Sequence, residues 1–133
     1  MCTIRAMERK PISTDKAPAA IGPYSQAIVA GGFVYVSGQI PLDPATGEMV
    51  GPDIETQTER VMKNVGAVLE ASGSGWPQLV KANIYLADMG DFATVNEIYA
   101  RYVGTEAPPA RAAIQVAALP KNARIEVEAI AIV

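Results

Sequence analysis

Arg111 opens the run Arg111-Ala112-Ala113-Ile114-Gln115-Val116-Ala117, which holds no other charge. Past a short loop containing Pro120 comes Arg124-Ile125-Glu126-Val127-Glu128, where charged and apolar side chains alternate. A guanidinium on one strand and carboxylates on the next can hold a small anionic substrate and a water. The chain contains no histidine. Its chemistry therefore falls to Arg, Glu, Tyr, Ser and backbone groups.

Alternate residues of a strand share a face. Arg111, Ala113 and Gln115 thus point one way, as do Arg124, Glu126 and Glu128. If the two strands pair as a hairpin around Pro120-Lys121, Gln115 lies near Glu126 and Ala113 near Glu128. Arg111, Glu126 and Glu128 then share one sheet face, with small residues between them that leave a hollow. The competing reading is a solvated face with cross-strand ion pairs, and spacing alone favours it. Ser37-Gly38-Gln39 and Tyr24, taken by themselves, read as a strand end and a partly buried aromatic.

The elements that must position these residues can be read from period and punctuation. Ser25–Ala30 and Phe33–Ser37 are β-rich runs flanking Gly31-Gly32, a hairpin signal. Pro41 to Glu48 is a turn cluster. From Ile54 to Ser72 the period becomes helical, with Val61, Met62, Val65, Val68 and Leu69 on one face. Thr56 and Glu59 have capping-box spacing, and Gly73 suits the position after the helix. The following Ser72-Gly73-Ser74-Gly75 lacks a third glycine and a Lys-Ser/Thr pair, so it reads as a connector and not a phosphate loop. Val80–Leu86 reads as a strand. Asp91 can cap a second helix over Phe92–Val103, with Phe92, Val95, Ile98, Tyr99, Tyr102 and Val103 on one face. Gly104 ends it and Pro108-Pro109 prevents a restart. Two strands close the chain, and a further strand is expected near the N-terminus.

Helices lying between strands imply an α+β domain: one mixed six-stranded sheet with both helices on one face. The opposite face needs a cover, and a neighbouring subunit is the expected one. Residues 1–10 read as a flexible extension and 11–133 as a single domain. At 133 residues the chain is long enough to bury a core without a staple. Half of it is hydrophobic, which leaves apolar surface for oligomerisation. The 11 basic and 14 acidic residues give a net charge of −3, which argues against a nucleic-acid binder. The single Cys2 cannot form an internal disulfide and reads as a passive terminal residue in a reducing, cytoplasmic setting. No window is apolar enough for a membrane helix, and the N-terminus lacks the apolar segment of a secretory signal.

Several strings together resemble the RidA family, also called YjgF or the reactive-intermediate deaminases. They are Ala17-Pro18-Ala19-Ala20-Ile21-Gly22-Pro23-Tyr24, Ser37-Gly38-Gln39-Ile40-Pro41, Phe92-Ala93-Thr94-Val95-Asn96 and Pro109-Ala110-Arg111. Leu119-Pro120-Lys121 and Ile125–Ala131 extend the match, which runs from about Ile12 to Val133. The resemblance implies a chorismate-mutase-like fold and a homotrimer with clefts at the subunit interfaces. It implies hydrolysis of 2-imino acids, such as 2-iminopropanoate and 2-iminobutanoate, to 2-keto acids and ammonia, with no cofactor and no metal. By motif, Arg111 matches the arginine that holds the substrate carboxylate, and Glu126 the glutamate that positions or activates water. Tyr24, Ser37, Gly38 and Asn96 match cleft-lining positions, with Tyr24 expected from the neighbouring subunit. Ala113 stands where many relatives carry cysteine, which excludes thiol chemistry there. Two other functions attach to the resemblance: a non-catalytic metabolite-binding or chaperone-like trimer, and an endoribonuclease or translation inhibitor.

Overall fold

A computed structural model describes residues 8–133. Cys2 and most of the expected extension lie outside the described residues. Strand β1 (Arg9–Ile12) takes in Arg9 and Lys10, two residues that the sequence reading left in that extension. It pairs antiparallel with β2 (Ala27–Ala30), which turns through Gly31-Gly32 into β3 (Phe33–Gln39). Both glycines have positive φ, 59° and 85°, the backbone that a two-residue hairpin turn requires.

Helix α1 (Ile54–Ala71) follows. Its N-cap is Asp53, whose carboxylate accepts from the backbone N–H of Thr56 at 2.9 Å. Thr56 is therefore the third helical residue and not the cap. Gly73 has a φ of 79°, as expected one residue past the C-cap Ser72. Strand β4 (Leu79–Leu86), helix α2 (Phe92–Val103), β5 (Ala110–Gln115) and β6 (Ile125–Ile132) complete the chain.

The sheet order is β1-β2-β3-β6-β4-β5, so β6 inserts between β3 and β4 and β5 is an edge strand. β5 pairs in parallel with β4 and does not pair with β6. The expected β5–β6 hairpin is thus replaced by a β4–α2–β5 crossover, because a parallel pair needs a long connection and α2 supplies it.

Both helices cover one face of the sheet. Val61, Val65, Val68 and Leu69 of α1 and Val95 of α2 are fully buried there, against Val34, Ile84, Leu86, Ile125 and Val127. The other face has no helix. It exposes Phe33, Tyr35, Ile114 and Ile132, each 37–49% accessible. No helix among the described residues is long and apolar enough to cross a membrane.

Candidate functional site

Register decides which way the two charged residues point. Arg111 is level with Ala82 of β4, a residue 1% exposed on the helix-covered face. Arg111 and Ala113 therefore face α2. Glu126 sits between the buried Ile125 and Val127 and is level with Tyr85, so it and Glu128 face the uncovered side. Arg111 and Glu126 thus occupy opposite faces, two strands apart and three residues out of step. Sheet spacings put their Cα atoms about 14 Å apart. The expectation of one shared face fails because it assumed a β5–β6 hairpin.

The structure instead brings the residues together as two separate groups. In the first, Tyr24, Gly38, Gln39, Pro120, Lys121 and Glu126 line a concavity of about 450 Å³ with Ile21 and Leu42. Val36 pairs with Ala129 and Gln39 with Val127, so Ser37 and Gly38 together oppose the single residue Glu128. This is a β-bulge, which bends the strand. The bend brings the Gly38 backbone against the Glu126 side chain, and a Cβ at position 38 would overlap Oε2 of that carboxylate. Burial pushes the Glu126 carboxyl above its ordinary range, and the Glu128 carboxylate adds to the push.

Two buried amides fix the walls of this concavity. Gln26 is 3% exposed; its side-chain N–H groups donate to the carbonyls of Thr14, Ala17 and Pro18, and its oxygen accepts from Thr14 N–H. That holds the loop preceding Tyr24. Asn64 of α1 is fully buried and donates to the carbonyls of Ile40 and Leu42, which ties down the segment after the bulge. A buried amide is affordable only with its bonds made. Sequence reasoning missed both residues: Gln26 follows Ser25 and Asn64 follows Lys63, so neither stands out as a lone polar residue in an apolar run.

Ser37 stands apart from this first group. Its hydroxyl donates to the Ser25 carbonyl at 2.5 Å, and the residue borders a hollow on the uncovered face with Lys81, Asn83 and Glu128. Asn83 donates to Glu128 at 3.0 Å. Burial, with the Glu128 carboxylate beside it, pushes the Tyr85 hydroxyl up.

The second group gathers at the edge strand. Arg111 Nη1 donates to Asn96 Oδ1 at 2.6 Å. The guanidinium lies over the Phe92 ring, 5.3 Å from its centroid, and over the Tyr99 ring at 5.1 Å. Asn96, Tyr99 and Arg111 line a concavity of about 410 Å³ with Gly104, Thr105 and Pro109. Ala113 is half-buried beneath, packed on the core. Asp91 precedes α2 as its N-cap but makes no side-chain cap bond. Its carboxylate instead takes both oxygens' worth of bonding from Arg124 Nη2, at 3.0 and 2.9 Å. Arg124 also donates to the Pro52 carbonyl, and its backbone N–H donates to Gln57 Oε1. The root of β6 is thereby tied to the start of both helices.

The two groups offer complementary chemistry. One offers a cation with free N–H donors; the other offers a carboxylate whose proton affinity is raised. No group of three or more His, Cys, Asp or Glu side chains suited to a metal occurs among the described residues.

The profile of the Endoribonuclease L-PSP family matches residues 14–133. The human 2-iminobutanoate/2-iminopropanoate deaminase is 51% identical over 124 residues, covering 93% of this chain and 90% of the relative. Among solved structures, a Rid-family protein from Yersinia pestis superposes with a TM-score of 0.92 at 47% identity, covering 95% of this chain and all of that one. E. coli TdcF with bound serine gives a TM-score of 0.86 at 41% identity, covering 93% of this chain and 98% of the other.

Proposed function

Because the chain belongs to the endoribonuclease L-PSP family, the RidA family of its sequence motifs, we propose that it hydrolyses 2-imino acids to 2-keto acids and ammonia. The observation that carries this reading is the pair of half-sites. A carboxylate anchor, Arg111 on Asn96, faces one way, and a water-holding base, Glu126 at Gly38, faces the other. The two halves make one site when the Glu126 side of one copy meets the Arg111 side of the next. The exposed Tyr35, Ile114 and Ile132 on the uncovered face supply apolar surface for that assembly. A closed homotrimer, as in the resemblance, repeats this contact three times.

The reaction asks little of the protein. Arg111 takes the substrate carboxylate through its planar fork, for which lysine is a poor substitute. The iminium carbon is already electrophilic. Water adds to it as Glu126 accepts a proton, giving a neutral carbinolamine. Glu126 returns that proton to nitrogen. The C–N bond then breaks, and the departing nitrogen with the hydroxyl proton leaves as ammonium. Iminium and water thus become ketone and ammonium, and Glu126 ends as the anion. A raised proton affinity suits a carboxylate that must accept and return a proton. Tyr24 and Gly38 line the water side; Asn96 and Ala113 belong to the anchor side.

Serine bound in the TdcF structure favours a second reading, in which the same cleft only binds small amino or keto acids. One assay separates the two: amino-acid oxidase generates imines from a panel of amino acids, and their decay is followed with and without the protein. Accelerated decay, lost in Arg111→Ala while the oligomer survives, supports the deaminase. Binding of 2-oxobutanoate without any acceleration leaves only the binding module. The endoribonuclease of the family description is tested by RNA cleavage with the same preparation, and the net charge of −3 with no histidine weighs against it.

A further inference from the structure

Phe92, Asn96 and Tyr99 are spaced i, i+4 and i+7 along α2, which puts them on one helical face. Arg111 comes to that face from β5, an edge strand of the sheet among the described residues. Its guanidinium meets two aromatic rings, at 5.3 and 5.1 Å, and one amide oxygen at 2.6 Å. Both ring distances fall within the range in which a cation is attracted to a π face. An arginine has five N–H donors, so the Asn96 bond leaves four for a ligand. Aliphatic residues would cover the same surface, but they carry no negative face to hold a cation. Tyr99 is only 5% exposed, and its hydroxyl finds no hydrogen-bond partner among the described residues. The part of Tyr99 that meets Arg111 is therefore its ring.

We propose that Phe92 and Tyr99 are positioning residues that clamp the Arg111 guanidinium in the place and plane where it receives the substrate carboxylate. This rests on the deaminase reading for its substrate, though the clamp itself is a set of contacts within the chain. A held guanidinium binds ground state and transition state alike. Losing the clamp therefore raises KM and leaves kcat nearly unchanged.

The test uses the full-length protein and four variants: Phe92→Leu, Tyr99→Leu, Phe92→Tyr and Tyr99→Phe. With 2-iminopropanoate generated from alanine by an oxidase, each leucine variant is expected to raise KM about three- to tenfold, the scale of one cation–π contact. The two ring-retaining variants are expected to keep the wild-type KM. The second readout is the NMR signal of Arg111 Nε–Hε, identified by its loss in Arg111→Lys. Ring currents displace it in the wild type; it moves toward the free-arginine position in both leucine variants and stays displaced in Tyr99→Phe. Wild-type KM and an undisturbed Arg111 signal in the leucine variants would overturn the clamp, as would a Tyr99→Phe loss equal to that of Tyr99→Leu. If the buried Tyr99→Leu does not fold, Phe92→Leu against Phe92→Tyr decides the question alone. If the wild type hydrolyses no imine, the functional reading fails and the Arg111 signal still decides the clamp.

Discussion

Gly38 is a glycine because the Glu126 carboxylate occupies the space that its Cβ would need. Its backbone is not in the left-handed region, so an alanine meets no conformational penalty there, only the carboxylate. Gly38→Ala therefore pushes the flexible end of Glu126 aside and leaves the bulge standing. The expected result is a fall in kcat/KM on the order of 10- to 100-fold, with the melting temperature nearly unchanged. A crystal structure of the variant should show the carboxylate displaced.

In the proposed reaction Glu126 must be anionic to accept a proton from water. Its carboxyl is held above the ordinary range, first by burial and then by Glu128. Turnover should therefore fall as pH drops through that raised value, at a higher pH than an ordinary carboxylate would give. Glu128→Gln removes the like charge and lowers the Glu126 pKa. The acid limb of the kcat/KM profile should then move to lower pH; a limb that stays in place or moves up removes Glu128 from the account.

Opposite placement of Arg111 and Glu126 makes a prediction about mixtures. Arg111→Ala and Glu126→Gln chains are each expected to be inactive alone. Unfolded together at equal amounts and refolded, they form sites that take an intact arginine from one chain and an intact glutamate from the next. Random assembly restores about one quarter of wild-type activity. Recovery near zero would mean that both residues serve the same site from one chain.

Arg124→Met breaks the two-oxygen contact with Asp91 and the bond to the Pro52 carbonyl. Arg124 is 39% exposed and Asp91 15%, so solvent screens part of the interaction. The expected loss is about 1–2 kcal/mol of stability, read as a lower melting temperature. Because Asp91 adjoins Phe92, the Arg111 side should loosen as well, with KM rising more than kcat falls.

Much of this fold is legible in local chemistry. Gly31-Gly32 specifies the β2–β3 turn, and the period-3.6 run from Ile54 specifies α1. Capping-box spacing points to Thr56, but that spacing looks the same whether its first residue is the cap or lies within the first turn; Asp53, three residues earlier, takes the role. Register between distant strands is another matter. Nothing in residues 110–128 alone says that β5 pairs with β4 instead of its sequence neighbour β6. The signal lay further upstream: a strand at Val80–Leu86, a helix at Phe92–Val103 and a strand at Arg111 have the spacing of a parallel crossover. Read that way, Arg111 turns toward α2 and away from Glu126. Motif resemblance named Arg111, Asn96, Gly38 and Glu126 without needing the register. It did not suggest the two rings beneath Arg111, since Phe92 and Tyr99 also look like ordinary core positions on an amphipathic helix.

In the proposed assembly, an anchor on the helix-covered face and a base on the uncovered face make abundance part of the chemistry. On that proposal a copy diluted away from its neighbours would hold half a site, however well folded it is. Specific activity should then collapse below a threshold protein concentration instead of staying constant. A variant chain that folds and assembles but lacks Arg111 would disable sites it shares with sound copies, and so act dominantly.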